Sequence, residues 1–161
     1  MEKTGHSQIR GHNMYIYLLF IHIIAAVTAI GAIICYPLIM SSARAVGQAK
    51  FALALLQKTA ILPKFGGILL LLTGLAFGFL QTDLFRELWY VISIAIFFVI
   101  LVILAGLHPA GIKQQLALLQ QTQGDDLPDA YRLSRKRSAW LEGIANLAAF
   151  ISILLMVFKP F

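Results

Sequence analysis

Four apolar runs long enough to cross a bilayer leave this chain few folds to choose from. Met14–Met40, Phe65–Leu80, Trp89–Leu107 and Ser138–Phe158 each approach or exceed the roughly 20 residues that a helix needs to span the hydrocarbon core. No water is available there to satisfy backbone groups, so each run must hydrogen-bond within itself as a helix. The expected fold is therefore all-α: a polytopic transmembrane four-helix bundle forming a single domain over residues 1–161, with spans at about 14–40, 65–81, 89–108 and 138–158. Composition agrees, since 60% of the residues are apolar and 12% charged, about half the charge of a soluble domain.

The first run shows no small-residue cleavage pattern and reads as a retained span rather than a signal peptide. Residues 41–64 and 109–137 are the two long connections. The stretch before the second span is amphipathic enough to extend the same helix, with a kink expected at Pro63. The pair Pro109 and Gly111 is expected to break the helix after the third span. Asp126 is expected to cap the fourth helix with Pro128 in its first turn, starting near Leu127.

Basic residues set the topology. Arg44, Lys50, Lys58 and Lys64 fall in the first connection, and Lys113, Arg132, Arg135, Lys136 and Arg137 in the third, against Arg86 alone in the second. By the positive-inside rule, connections one and three are cytoplasmic and both termini lie outside. The expected setting is the bacterial inner membrane. The net charge of +6 is then accounted for by topology and anionic lipid headgroups, and nucleic acid is excluded as a partner. Cys35 is the one cysteine, so neither an intramolecular disulfide nor a Cys-based zinc site can form.

Ionisable side chains at membrane depth are costly and mark candidate sites. His22 lies roughly 12 Å below the outer end of the first span. It shares a stripe with Ala25, Ala29, Ala32 and Tyr36, where a partner helix or a flat ligand can come close. The imidazole suits an axial haem ligand, a metal ligand or a proton acceptor, and equally a neutral histidine bonded across helices. His108 closes the third span roughly 17 Å away along the axis, too far to share one haem iron with His22. A second polar cluster is expected among His108, Glu142, Asn146 and Lys64, with Glu142 paired to Lys64 or His108. Gly67, Gly74 and Gly78 share a face, and GLAFG is a GxxxG match read as close helix packing. Trp89, Tyr90, Tyr15 and Tyr17 are expected as interfacial anchors. His12, Met14, His22 and Met156 fall in the outer half and offer imidazole and thioether donors suited to Cu(I). No phosphate-binding glycine loop, HExxH or hydrolase nucleophile pattern is present.

The segment YLLFIHIIAAVTAIGAIICYPLIM, together with LTGLAFGFL, GLHPAGIKQQL and the end VFKPF, resembles the HemJ-type protoporphyrinogen oxidases and the CopD-like copper-resistance membrane domains. The pattern of the former has Trp, Arg and Lys where this chain has Ala29, Leu38 and Phe97. The resemblance implies a haem b or porphyrin bound through His22, with oxidoreductase chemistry of the protoporphyrinogen-oxidase type. The alternatives are copper handling through His22, Met14 and Met156, and a non-enzymatic accessory role in a homo-oligomer or beside another membrane protein.

Overall fold

The computed structural model describes residues 3–160, with side chains described from residue 13 onward. His12 lies outside the described side chains. The elements are α1 (Lys3–Ser41), α2 (Val46–Thr59), α3 (Ile61–Leu80), a 3-10 turn (Thr82–Arg86), α4 (Leu88–Val102), a π turn (Ile103–Leu107), α5 (His108–Gln120) and α6 (Asp129–Phe158). No strand occurs among the described residues. Four segments are long and apolar enough to cross a membrane: Asn13–Ser41, Val46–Leu80, Leu88–Gln120 and Asp129–Phe158. The chain is a multi-pass integral membrane protein built as a four-helix bundle. α1 lies between α3 and α6, and α4 closes the ring between the same two helices. Large apolar side chains such as Phe20, Val27, Leu72 and Phe98 point outward, as lipid rather than water requires.

Helix α2 runs into helix α3 with the single residue Ala60 between them. The interruption falls at Ala60, three residues before the expected kink. Pro63 has no N–H to give the carbonyl of Thr59, four residues back, and its ring crowds that carbonyl, so the ladder breaks on the N-terminal side of the proline.

The expected break at Pro109 and Gly111 does not occur. The chain passes from α4 into α5 without a loop, because the π turn at Ile103–Leu107 takes up the missing bond and steric load of Pro109 within a widened helix. Gly111 instead admits a neighbour: a Cβ there would lie 2.9 Å from Ser138 Oγ, so the glycine lets α5 close on α6.

The start of α6 also differs from expectation. Pro128 is the cap residue, in extended conformation (φ −64°, ψ 150°), and no side chain caps the helix. Leu127 precedes a proline and is driven out of helical space, which moves the start to Asp129.

One apolar core holds the bundle's middle, with Ile33, Ile100, Ala145 and Ala149. A larger one gathers Tyr36, Met40, Leu53, Leu56, Ile112, Leu119 and Tyr131 at the end where most lysines and arginines lie, called the basic end below. There the backbone N–H of Val46 donates to Asp125 O at 3.1 Å, tying the α1–α2 connection to the α5–α6 connection. This basic-end core fixes where His108 and Glu142 sit.

Helices α1 and α3 approach each other closely. A Cβ on Gly66 would stand 3.0 Å from Ala29 N and 3.1 Å from Ala25 O, so the backbones touch where the small stripe of α1 meets a glycine of α3. The GxxxG glycines do other work. A Cβ on Gly74 would stand 3.7 Å from His22 Cε1, and Gly78 leaves room for Phe85 and the Tyr90 hydroxyl. Among the described glycines it is Gly66, outside the GLAFG match, that makes the backbone contact expected of that motif.

Two of the four expected aromatic anchors turn inward. Tyr90 is buried and its hydroxyl donates to Gly74 O at 2.8 Å, the partner that a buried phenol requires. Trp89 is covered by Tyr90 and by Lys159, whose Nζ lies 5.3 Å from the ring centroid. Tyr17 remains exposed, and Tyr15 sets its ring edge against Phe77 at 5.3 Å.

Candidate functional site

Two polar centres occupy opposite ends of the bundle interior. The first is His22. Its Nδ1 lies 2.7 Å from Thr73 Oγ1, and its ring meets the edge of Phe77 at 5.5 Å. Thr73 Oγ1 also lies 2.8 Å from Leu69 O, one turn back on its own helix. The hydroxyl carries one proton, and the back-bond to the i−4 carbonyl is its ordinary use inside a helix. Thr73 then accepts from His22 Nδ1–H. This assignment leaves Nε2 unprotonated, with a lone pair available to a Lewis acid or a proton.

His22 lines a long, narrow cavity of about 80 Å³ between the four spans, which runs from Met156 and Tyr90 at one end to Pro63 and Leu104 at the other. Its walls are almost wholly apolar side chains of the four spans. Ala29 contributes to the wall, while Ala25 is packed against α3. Ala32 is half-buried and lines neither this cavity nor the basic-end one. Met156 shares the cavity with His22, whereas Met14 is 52% exposed and does not reach it. Among the described residues no group of three or more His, Cys, Asp or Glu converges anywhere.

The second centre is at the basic end. Glu142, 2% exposed, accepts two bonds from Arg135, Nη1 to Oε1 at 2.8 Å and Nη2 to Oε2 at 3.0 Å. His108 Nε2 donates to Oε1 at 3.2 Å. The carboxylate accepts only, so the His108 proton sits on Nε2, the opposite tautomer to His22. Tyr36 lies against the His108 ring and so belongs to this centre rather than to the neighbourhood of His22. Gln115 Nε2 donates to Ser138 Oγ at 2.8 Å, and Asn146 Nδ2 donates to Glu142 O at 3.0 Å. The side-chain oxygens of Gln115 and Asn146 are buried without a partner. Lys64 does not pair with Glu142; it lines a separate cavity that His108 and Tyr36 also border.

Of the residues singled out from sequence, the structure unites His108, Glu142 and Asn146, places His22 with Met156 on one cavity, and separates Tyr36 and Met14 from His22. Sequence reasoning missed Thr73, Arg135 and the Gln115–Ser138 pair. Two of these had a readable signal. Thr73 is the one hydroxyl in the apolar run Phe65–Leu80, and Arg135, Ser138 and Glu142 step by three and four along one face of α6.

Residues 16–160 match a protein family, DUF2269, described as predicted integral membrane proteins. No curated protein and no solved structure matches the chain.

Proposed function

The chain belongs to the DUF2269 family of predicted integral membrane proteins, and for this member we propose metal handling within the bilayer. His22 is the donor to a soft transition-metal cation of the Cu(I) class, with the Met156 thioether as second donor. The observation that carries this reading is the bond between His22 Nδ1 and Thr73. Metal-binding histidines characteristically donate their other ring N–H to a fixed partner, which sets the tautomer and orients the ring. Thioether and imidazole together suit Cu(I). A closed tetrahedral zinc site, by contrast, needs four convergent side chains, and the described residues offer no such group.

A bound copper would supply Lewis acidity and one-electron chemistry. The chain's own part is narrower. Thr73 keeps the imidazole turned with Nε2 unprotonated, Phe77 holds the ring edge, and the apolar walls exclude water from the donor. The same imidazole is the one that a haem b iron would use. The cavity beside it, about 80 Å³, is smaller than the roughly 300–1,000 Å³ typical of organic-ligand sites, which favours a single cation over a macrocycle. The sequence resemblance to CopD-like membrane domains belongs to this proposal and agrees with copper chemistry.

Copper analysis after anaerobic Cu(I) loading tests it. The wild type should retain close to one copper per chain, and His22→Ala and Met156→Leu should each lose most of it. Retention below one copper per several chains overturns the reading. Absorption spectra of the same preparation, oxidised and dithionite-reduced, supply the competing outcome: a Soret band that disappears in His22→Ala replaces copper with haem.

A further inference from the structure

A cavity of about 410 Å³ opens at the basic end, between the α2–α3 junction and the continuous α4–α5 segment. This is within the range of sites that hold organic ligands. Its charged lining is of one sign: Lys64 and Lys113 border it, and no carboxylate does. Glu142, behind the His108 wall, is already paired with Arg135 and hydrogen-bonded by His108. Among the described residues the salt bridges are those of Glu142, so neither lysine is matched by an acidic group. Tyr36 also lines the cavity, and its hydroxyl, which is not sealed off from it, makes no hydrogen bond to the described residues. A phenol whose ring is packed and whose hydroxyl stands at a cavity wall is placed to give that hydroxyl to a partner in the cavity.

The surroundings indicate what that partner is. Ile61 and Phe65, on either side of Lys64, are 57% and 68% exposed and face outward where lipid lies. The lysines therefore stand at an apolar–polar boundary, with hydrocarbon-facing side chains at the cavity's rim. The π turn contributes Ala105 to the wall, and such turns recur at functional sites. Basic pockets between transmembrane helices are known to hold anionic headgroups. We propose that this cavity binds a phosphate-bearing anion at the membrane surface, the headgroup of an anionic phospholipid, with Lys64 and Lys113 on the phosphate, Tyr36 donating to it, and the acyl chains lying along Ile61 and Phe65.

The test uses the full chain in neutral detergent, with phosphatidylglycerol, phosphatidylcholine or inorganic phosphate added. Retained lipid is read by native mass spectrometry and the thermal midpoint by scanning fluorimetry. Phosphatidylglycerol should bind saturably, one per chain, and raise the midpoint, while phosphatidylcholine does neither. The double variant Lys64→Gln/Lys113→Gln should weaken retention about thirtyfold, the equivalent of roughly 1 kcal/mol per lysine. Lys50→Gln/Lys58→Gln, which removes two lysines that do not line the cavity, should change it less than about threefold on the same scale. Tyr36→Phe, which removes only the hydroxyl, should weaken retention severalfold and keeps the test decisive if the lysine variant does not fold. Equal binding of the two lipids, equal losses in the two double variants, or no loss in Tyr36→Phe each overturn the proposal. An equal midpoint shift with inorganic phosphate overturns the lipid assignment in favour of a free anion.

Discussion

Tyr36 lies flat on His108, ring centroids 4.7 Å apart and planes inclined by 14°, and this stack joins the end of α1 to the start of α5. His108 is held on its face by Tyr36 and at Nε2 by Glu142, which Arg135 clamps in turn. Three helices thus meet through four side chains. Tyr36→Ala should cost about 3–5 kcal/mol, as for other buried aromatic truncations. Tyr36→Phe keeps the stack and should leave the unfolding midpoint close to wild type. Thermal unfolding in detergent checks both, and equal losses would show that the hydroxyl rather than the ring carries the contact.

Arg135 and Glu142 should show the asymmetry of a buried ion pair. Removing one partner strands the other charge, so Arg135→Ala should destabilise by about 3–5 kcal/mol. Replacing both with apolar side chains, Arg135→Met with Glu142→Leu, removes the stranded charge and should recover most of that loss. The three unfolding curves decide the matter; a double variant as unstable as Arg135→Ala would show that the network, not charge burial, sets the cost.

The α1–α3 contact makes a third prediction. Gly66→Ala places a methyl against the backbone of Ala29 and Ala25, where neither helix can yield by moving a side chain. Overpacking of this kind costs about 1–3 kcal/mol. Gly31→Ala, with open space around it, should instead gain about 0.5–1 kcal/mol from helix propensity. The pair of unfolding midpoints should move in opposite directions.

The four spans were legible because lipid imposes one demand on every residue of a run. What escaped the sequence depends on how helices are turned against each other. Pro109 reads as a stop until the π turn before it is seen to absorb the strain. Trp89 and Tyr90 have the residue types of interfacial anchors, and only the space left by Gly78 and the carbonyl of Gly74 turns Tyr90 inward. His108 was expected beside Glu142 and lies there; the second partner, Arg135, was readable on the same helix two turns earlier. The stack of Tyr36 on His108 joins α1 to α5 and follows from interhelical register, which no local pattern encodes.

Thr73 offers the sharpest separation between a histidine that binds and one that only packs. Thr73→Val keeps the shape and removes the oxygen that accepts from His22 Nδ1. If the imidazole merely packs, the variant loses one buried hydrogen bond, about 1–3 kcal/mol of stability, and nothing else changes. If Nε2 is a metal donor, the ring also loses the group that fixes its tautomer, and metal affinity should fall about 10–100-fold. Thr73→Ser retains the acceptor and should restore binding. Copper retention measured across wild type, Thr73→Val and Thr73→Ser, beside the unfolding midpoints, separates the two cases. A loss of stability in Thr73→Val with copper retention unchanged assigns His22 to packing.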